Sequence, residues 1–90
     1  DQSFKDMATI LYVVNALDIV KSEKLLTKIE RLAVDSAWKF SALELKAFIF
    51  FKKGDLLRSS EVFNSILELG NAPSTLSSRA RDMIEFLEVN

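Results

Sequence analysis

The segment 35–55 has two separate apolar sides when its residues are placed on an α-helix of about 3.6 residues per turn. One side consists of Trp38, Ala42, Leu45 and Ile49. The opposite side consists of Phe40, Leu43, Ala47, Phe50 and Phe51. Two polar strips separate them, one with Lys39, Lys46 and Lys53 and the other with Ser41, Glu44 and Lys52. Because a surface helix needs only one apolar stripe, this pattern predicts a helix from Asp35 to Asp55 that packs against neighbours on both sides.

The composition is typical of one small globular domain. Of the 90 residues, 49% are hydrophobic and 28% are charged. The net charge of −1 gives the chain as a whole no electrostatic attraction to nucleic acid or anionic lipid. Even the run 47–51, which no other apolar run exceeds, is far shorter than the ~20 residues that span a bilayer. Because the sequence begins at Asp1 rather than at a methionine, we expect a fragment of a longer chain or a processed form.

A first helix is predicted to begin at a cap formed by Asp1 or Ser3 and to end between residues 15 and 18. Its apolar residues recur at spacings of three and four: Phe4, Met7, Ala8, Ile10, Leu11, Tyr12 and Val14. The run 10–14 is also compatible with a β-strand, because it is β-branched and aromatic. Helical spacing continues on both sides of this run and favours the helix.

A second helix is predicted over residues 19–33. Its apolar side consists of Leu25, Leu26, Ile29 and Leu32. Its opposite side carries Lys21, Lys24, Lys28 and Arg31, paired with Glu23 and Glu30. We interpret this charged side as solvated, because mixed charges on a helix usually face water. Asp35 and Ser36 are expected to end this helix and to cap the next one.

Two more helices follow the segment 35–55. Gly54 is expected to end that helix in the left-handed conformation, and Asp55 to cap a fourth helix over residues 56–69. The fourth helix is expected to pack through Leu57, Val62, Phe63, Ile66 and Leu69. Residues 70–73 then form a break, and a fifth helix begins near Ser74 or Thr75. The fifth helix is expected to bury Leu76, Ala80, Met83, Ile84 and Leu87.

The sequence repeats itself at a shift of 37 residues, which places residues 17–32 on residues 54–69. Identical residues occur at Asp18/Asp55, Ser22/Ser59, Ile29/Ile66 and Leu32/Leu69. Two helices per unit and a period in this range are typical of helix-turn-helix solenoids. We therefore predict one all-α domain over residues 1–90, built from antiparallel helix-turn-helix repeats. The units are predicted at 3–34 and 36–70, with a capping helix at 74–89.

The second unit also matches a family pattern of small, aromatic and turn residues. The matching positions are Ala47, Phe50, Gly54, Ser59 and Phe63. Pro73 lies close to the place of the proline that usually separates units in that family. On these residues the chain resembles a tetratricopeptide-repeat (TPR) protein. The resemblance implies a TPR-like fold of five helices and about two and a half repeats.

A narrower resemblance covers almost the whole chain. It depends on ALELKAFIFFKKGDLLRSSEVFNSILE and PSTLSSRARDMI, and within them on Ala42-Leu43, Gly54-Asp55, Pro73 and Arg79-Ala80. These stretches look like the C-terminal repeats of YfgM-type proteins, the ancillary subunits of the bacterial SecYEG translocon. The resemblance implies an inner-membrane anchor before Asp1, repeats exposed to the periplasm, and translocon or chaperone components as partners. A cytoplasmic location is the alternative.

No group of residues predicts catalysis. The chain has no cysteine and no histidine, so its serines lack the usual activating base. We interpret Glu85 and Glu88 as solvated, and Lys52 and Lys53 as complements to a helix C-terminus. Two glycines are too few for a phosphate-binding loop. We therefore predict a non-enzymatic domain with no cofactor, metal, small-molecule substrate or nucleic-acid partner.

Phe48 suggests a protein-binding surface, because it lies in the polar strip between Glu44 and Lys52. The 37-residue shift places Met7 and Leu11 on the equivalent face of the first helix. The predicted protein-binding residues are Met7, Leu11, Glu44, Phe48, Phe51 and Lys52. In this hypothesis the apolar residues dock a partner helix or peptide and the two charges orient it. Alternatively, these residues only seal the first helix against the third or contact a segment outside this sequence.

The functional expectation is a protein–protein interaction scaffold, which the resemblance places in bacterial protein export or chaperoning. A self-association module that forms homo-oligomers and a cytoplasmic TPR-like adaptor are the alternatives. A regulatory or nucleic-acid-linked domain would need a basic face in the folded structure.

Overall fold

The computed structural model describes residues 1–89, and helices dominate this range. The helices are α1 (Gln2–Ala16), α2 (Ser22–Ile29), α3 (Lys39–Lys53), α4 (Leu56–Leu69) and α5 (Ser74–Val89). No residue of the described range lies in a β-strand. The prediction of an all-α fold is therefore confirmed, and the strand alternative for residues 10–14 is wrong.

The central element is α3, which packs against each of the other four helices. Its first apolar side buries Ala42 and Ile49, and its opposite side buries Leu43 and Ala47. The prediction that this helix packs on both sides is confirmed. Within residues 1–89, α1 and α2 do not pack against α4 or α5, so α3 joins the two halves of the domain.

Both α2 and α3 are shorter than predicted. Residues 30–34 form turns after α2, in which the Val34 N–H donates to the Arg31 carbonyl three residues back, while the Ala33 and Asp35 N–H groups donate four residues back. At the other end of α2, Lys21 has an extended backbone with ψ of 139°. Before α3, the Ser36 hydroxyl accepts a hydrogen bond from the Trp38 N–H at 3.1 Å. Ser36 therefore caps the turn that precedes the helix, and α3 begins at Lys39 instead of Asp35.

The buried side of α1 differs from the set of apolar residues that the sequence suggests. Asp6, Ile10, Val13 and Ala16 are buried. Phe4 and Leu11, in contrast, are 67% and 53% exposed. The helix is apolar on most of its circumference, so hydrophobicity alone does not select a side. Packing selects the side that places the Asp6 carboxylate next to its hydrogen-bond donors.

The bounds of α4 agree with the prediction, whereas its buried side is narrower. Phe63 and Ile66 are fully buried, but Leu57 is 73% exposed and Leu69 is 43% exposed. The prediction that these two leucines pack is wrong, because α4 has only α3 and α5 as neighbours within the described range. The α5 prediction agrees with the structure, which buries Leu76, Ala80 and Leu87 and partly buries Met83 and Ile84.

The connection between α3 and α4 forms as the sequence predicts. Gly54 is left-handed with φ of 89°, and its N–H donates to the Phe51 carbonyl at 3.0 Å. The Asp55 carboxylate accepts from the Arg58 N–H at 3.1 Å and caps α4. This hydrogen bond lowers the pKa of Asp55.

Gly54→Ala should lower the free energy of unfolding by about 1–2 kcal/mol, because a Cβ disfavours the left-handed conformation. No atom lies within 4 Å of the place where that Cβ would stand, so the loss is conformational and not steric. Gly54→Asn is the matched control and should lose less, because asparagine tolerates this region better. Urea denaturation measures both values. Equal losses for the two variants would contradict this explanation.

Candidate protein-binding surface

A cleft of about 380 Å³ lies between the C-terminal parts of α1 and α3. Its lining residues are Val14, Leu17, Asp18, Phe48, Phe51 and Lys52. The lining is apolar except for Asp18 and Lys52. These two side chains form an ion pair, in which the Lys52 ammonium donates to the Asp18 carboxylate. The cleft can therefore accept apolar side chains, with its two charges already neutralising each other.

The helices α1, α3 and α5 carry side chains at matching positions. Positions 7, 11 and 14 match 44, 48 and 51 at a shift of 37 residues, and these match 79, 83 and 86 at a shift of 35. The residues are Met7, Leu11 and Val14 of α1; Glu44, Phe48 and Phe51 of α3; and Arg79, Met83 and Phe86 of α5. We call this set the common face.

Two contacts join α3 to α5 across the common face. The Arg79 guanidinium donates to both oxygens of the Glu44 carboxylate, at 2.8 and 3.0 Å. The hydrogen bonds and charge of Glu44 raise the pKa of Arg79. The Phe51 and Phe86 rings meet edge to face, with their centroids 6.2 Å apart. The bidentate geometry fixes the relative positions of the two helices more closely than a single ion pair does.

Phe48 has two kinds of neighbour. Its ring packs edge to face on the buried Phe63 ring, with a centroid separation of 5.3 Å and an interplanar angle of 83°. The same side chain is half-buried and lines the cleft. Phe48 therefore belongs both to the margin of the core and to the surface, and its removal would affect stability as well as any docking at the cleft.

The structure brings together only part of the predicted binding set. Phe48, Phe51 and Lys52 line the cleft. Leu11 is exposed and Met7 is half-buried, and neither lines the cleft. Glu44 lies one turn from Phe48 and is only 17% exposed, because it faces Arg79.

Sequence reasoning missed Leu17 and Asp18 in the cleft and Arg79 and Phe86 on the common face. The spacing of 35 residues between α3 and α5 is the signal that could have found the last two.

A buried carboxylate joins α1 to the turn before α3. Asp6 is 3% exposed and accepts hydrogen bonds from Gln2 at 2.8 Å, from the Ser36 hydroxyl at 2.7 Å and from Arg31. The Ser36 hydrogen bond is the largest of the causes that lower the pKa of Asp6. Asp6 was not predicted from the sequence, although its place four residues before Ile10, on the buried side, was the available signal.

The charged residues of α2 have other partners than predicted. Arg31 pairs with Asp6, and Glu23 pairs with Lys53 of α3 at 3.2 Å. The Lys28 ammonium lies 5.4 Å from the centre of the Tyr12 ring. The prediction that Arg31 pairs with Glu23 or Glu30 is wrong, because Arg31, in the turn after α2, reaches Asp6 of α1 and Glu23 reaches Lys53 of α3.

Comparison with known proteins found no relative: no family model, curated protein or solved structure matches the chain. The resemblances to TPR and YfgM-type proteins therefore stay predictions. Among residues 1–89, no group of acidic side chains is arranged to hold a metal ion. None of the helices in that range is long and apolar enough to cross a membrane.

Proposed function

We propose that this chain is a non-enzymatic, TPR-like domain that binds a protein partner on the common face. The packing order supports the repeat arrangement, because each helix packs on the next one and α3 also packs on both α1 and α5. In a helical solenoid the first helices of successive units are in contact, and each second helix lies between two first helices. In this arrangement α1, α3 and α5 are first helices, and α2 and α4 are second helices.

The buried residues of the second helices supply further support. Leu25, Ile29 and Leu32 are buried in and after α2, and Ser59, Phe63 and Ile66 are buried in α4. The two sets are related by a shift of 34 residues. A shift of 34 residues is the period of TPR proteins. The identical residues in the sequence, in contrast, align at a shift of 37.

The observation that carries the functional proposal is the apolar cleft that Val14, Phe48 and Phe51 line. The charged side chains in and beside the cleft already have partners within the chain: Lys52 pairs with Asp18 in the lining, and Glu44 pairs with Arg79 beside it. A partner that depended on charged anchors would have to break these pairs. We therefore infer that the occupant is an amphipathic helix that inserts uncharged apolar side chains at i, i+3 or i+4, and i+7.

The resemblance to YfgM-type proteins supplies the cellular setting of the proposal. In that setting the domain faces the periplasm, is held at the inner membrane by an anchor, and assists protein export by binding translocon or chaperone components. A cytoplasmic adaptor would use the same surface.

The test is selection from a random library of helical peptides, followed by affinity measurements on variants of the chain. The selected peptides should carry apolar anchors at helical spacing. Val14→Gln should weaken their binding about tenfold, because it places an amide in the apolar cleft. Val14 is 47% exposed, so its replacement disturbs the core less than a change at Phe48.

Leu57→Gln is the matched control, because Leu57 is 73% exposed on α4 and lies outside the cleft. It should leave peptide affinity unchanged. Equal losses in the two variants, or selection of peptides with charged anchors only, would contradict the proposal. Sedimentation at increasing concentration tests the self-association alternative, in which the chain would dimerise and select no peptide.

A further inference from the structure

The outer side of α1 is apolar, although no other helix of the described range covers it. Phe4, Leu11 and Tyr12 are 67%, 53% and 45% exposed, and Ala8 is exposed beside them. Ala8 follows Phe4 by four residues, and Leu11 and Tyr12 follow Ala8 by three and four, which places these side chains on one ridge. The outer side of α5, at the other end of the domain, is polar. Its exposed residues are Ser74, Ser78, Arg81, Asp82 and Glu85.

A basic edge of α2 borders this ridge. Lys28 lies over the Tyr12 ring, and Lys24 precedes it by one helical turn on the same side of α2. A third exposed ammonium group is that of Lys5, which lies on α1. Among the acidic side chains near the ridge, Asp6 is buried and Glu23 pairs with Lys53 of α3, whereas Asp1 is exposed and accepts a hydrogen bond from the Phe4 N–H. On the ridge and its edge, the three lysines therefore outnumber the exposed Asp1, although the whole chain has a net charge of −1.

We propose that the ridge of α1 and the basic edge of α2 bind the surface of an anionic membrane. Apolar and aromatic side chains would enter the boundary between headgroups and acyl chains, and the lysines would contact the anionic headgroups. The protruding shape of the ridge favours a lipid surface as its partner over a helix or peptide that would need a groove. The helix α1 packs only on α2 and α3, so the ridge residues protrude instead of lining a cleft.

This surface is separate from the cleft and shares only Leu11 with the common face, and Leu11 does not line the cleft. Phe4, Lys24 and Lys28 do not line it, so membrane binding and peptide binding can be tested independently. Variants at these residues should leave the affinity for selected peptides unchanged. The proposal therefore goes beyond the proposed function and does not depend on it.

The experiment is co-sedimentation of the chain with vesicles of phosphatidylcholine alone or of phosphatidylcholine and phosphatidylglycerol in equal parts. The chain should bind only the anionic vesicles, and binding should weaken as salt increases. The double variant Lys24→Glu/Lys28→Glu should bind about tenfold more weakly or not at all. Arg81→Glu on α5 is the matched control and should bind as the unchanged chain does.

Phe4→Ser tests the apolar contribution without changing charge, and Leu57→Ser is its control at a similarly exposed position. Only the first should reduce binding to anionic vesicles. The proposal is overturned if the chain does not bind these vesicles, or if binding is unchanged in both the double variant and Phe4→Ser. Salt-sensitive binding to poly-glutamate without binding to vesicles would also overturn it, since it would indicate an acidic protein partner.

Discussion

Phe63→Ala should lower the free energy of unfolding by about 3–5 kcal/mol, the usual range for removing a buried phenylalanine ring. Phe63 is fully buried in α4, and its ring supports Phe48 of α3. A domain of this size has a total stability of about 5–15 kcal/mol, so the loss is a large part of the whole. Urea denaturation followed by circular dichroism measures it.

Phe63→Leu is the matched control for this prediction, because leucine fills most of the space and remains apolar. It should lose clearly less than the alanine variant. The alanine variant should also weaken peptide binding, because Phe48 loses the ring that positions it at the cleft. A loss below about 1 kcal/mol for Phe63→Ala would contradict the packing of α3 on α4 described above.

Asp6→Ala should be the second strongly destabilising change, because it leaves Arg31 and the Ser36 hydroxyl without their buried acceptor. The loss should appear first in α1, as faster amide exchange of its N–H groups than in α4. Asp6→Asn keeps one acceptor oxygen and should lose less than the alanine variant. Denaturant titration and hydrogen exchange measure the two effects. Exchange that accelerates equally in α1 and α4 would contradict a local role.

The Asp6 network should also make stability depend on pH in a defined direction. The folded state lowers the pKa of Asp6 below its ordinary value of 3.8. The stabilisation is therefore fully present well above that value and is lost as the pH falls through the lower pKa of the folded state. The difference in stability between the unchanged chain and Asp6→Asn should be constant above about pH 5 and should shrink at lower pH. A difference that grows on acidification would contradict the assignment.

Helix positions could be predicted well where the sequence contains local stop and cap signals. Gly54 and Asp55 end one helix and begin the next through their own backbone and side-chain chemistry, so the start of α4 is correct. The end of α2 could not be predicted in the same way. Leu32 continues the apolar spacing and is buried, but the chain forms turns there, where Arg31 reaches Asp6.

The side on which a helix packs was harder to predict than the helix itself. In α1 the apolar residues surround most of the helix, and the hydrogen bonds of Asp6 with residues 25 and 30 positions away select the buried side. In α4 the leucines at 57 and 69 fit an amphipathic pattern but have no neighbouring element. The candidate cleft was partly predictable, because Phe48 and Phe51 share one side of α3. Leu17 and Asp18 lie in the turn after α1, and no periodic pattern places them.

The central claim is that a partner helix docks on the common face at the cleft between α1 and α3. The most direct measurement is an NMR titration of the isotope-labelled chain with a peptide selected for binding. We expect the largest shifts at Val14, Phe48 and Phe51, with little change at the exposed residues Leu57 and Arg58 of α4. Shifts concentrated on α4, or on the outer side of α1 alone, would contradict the claim.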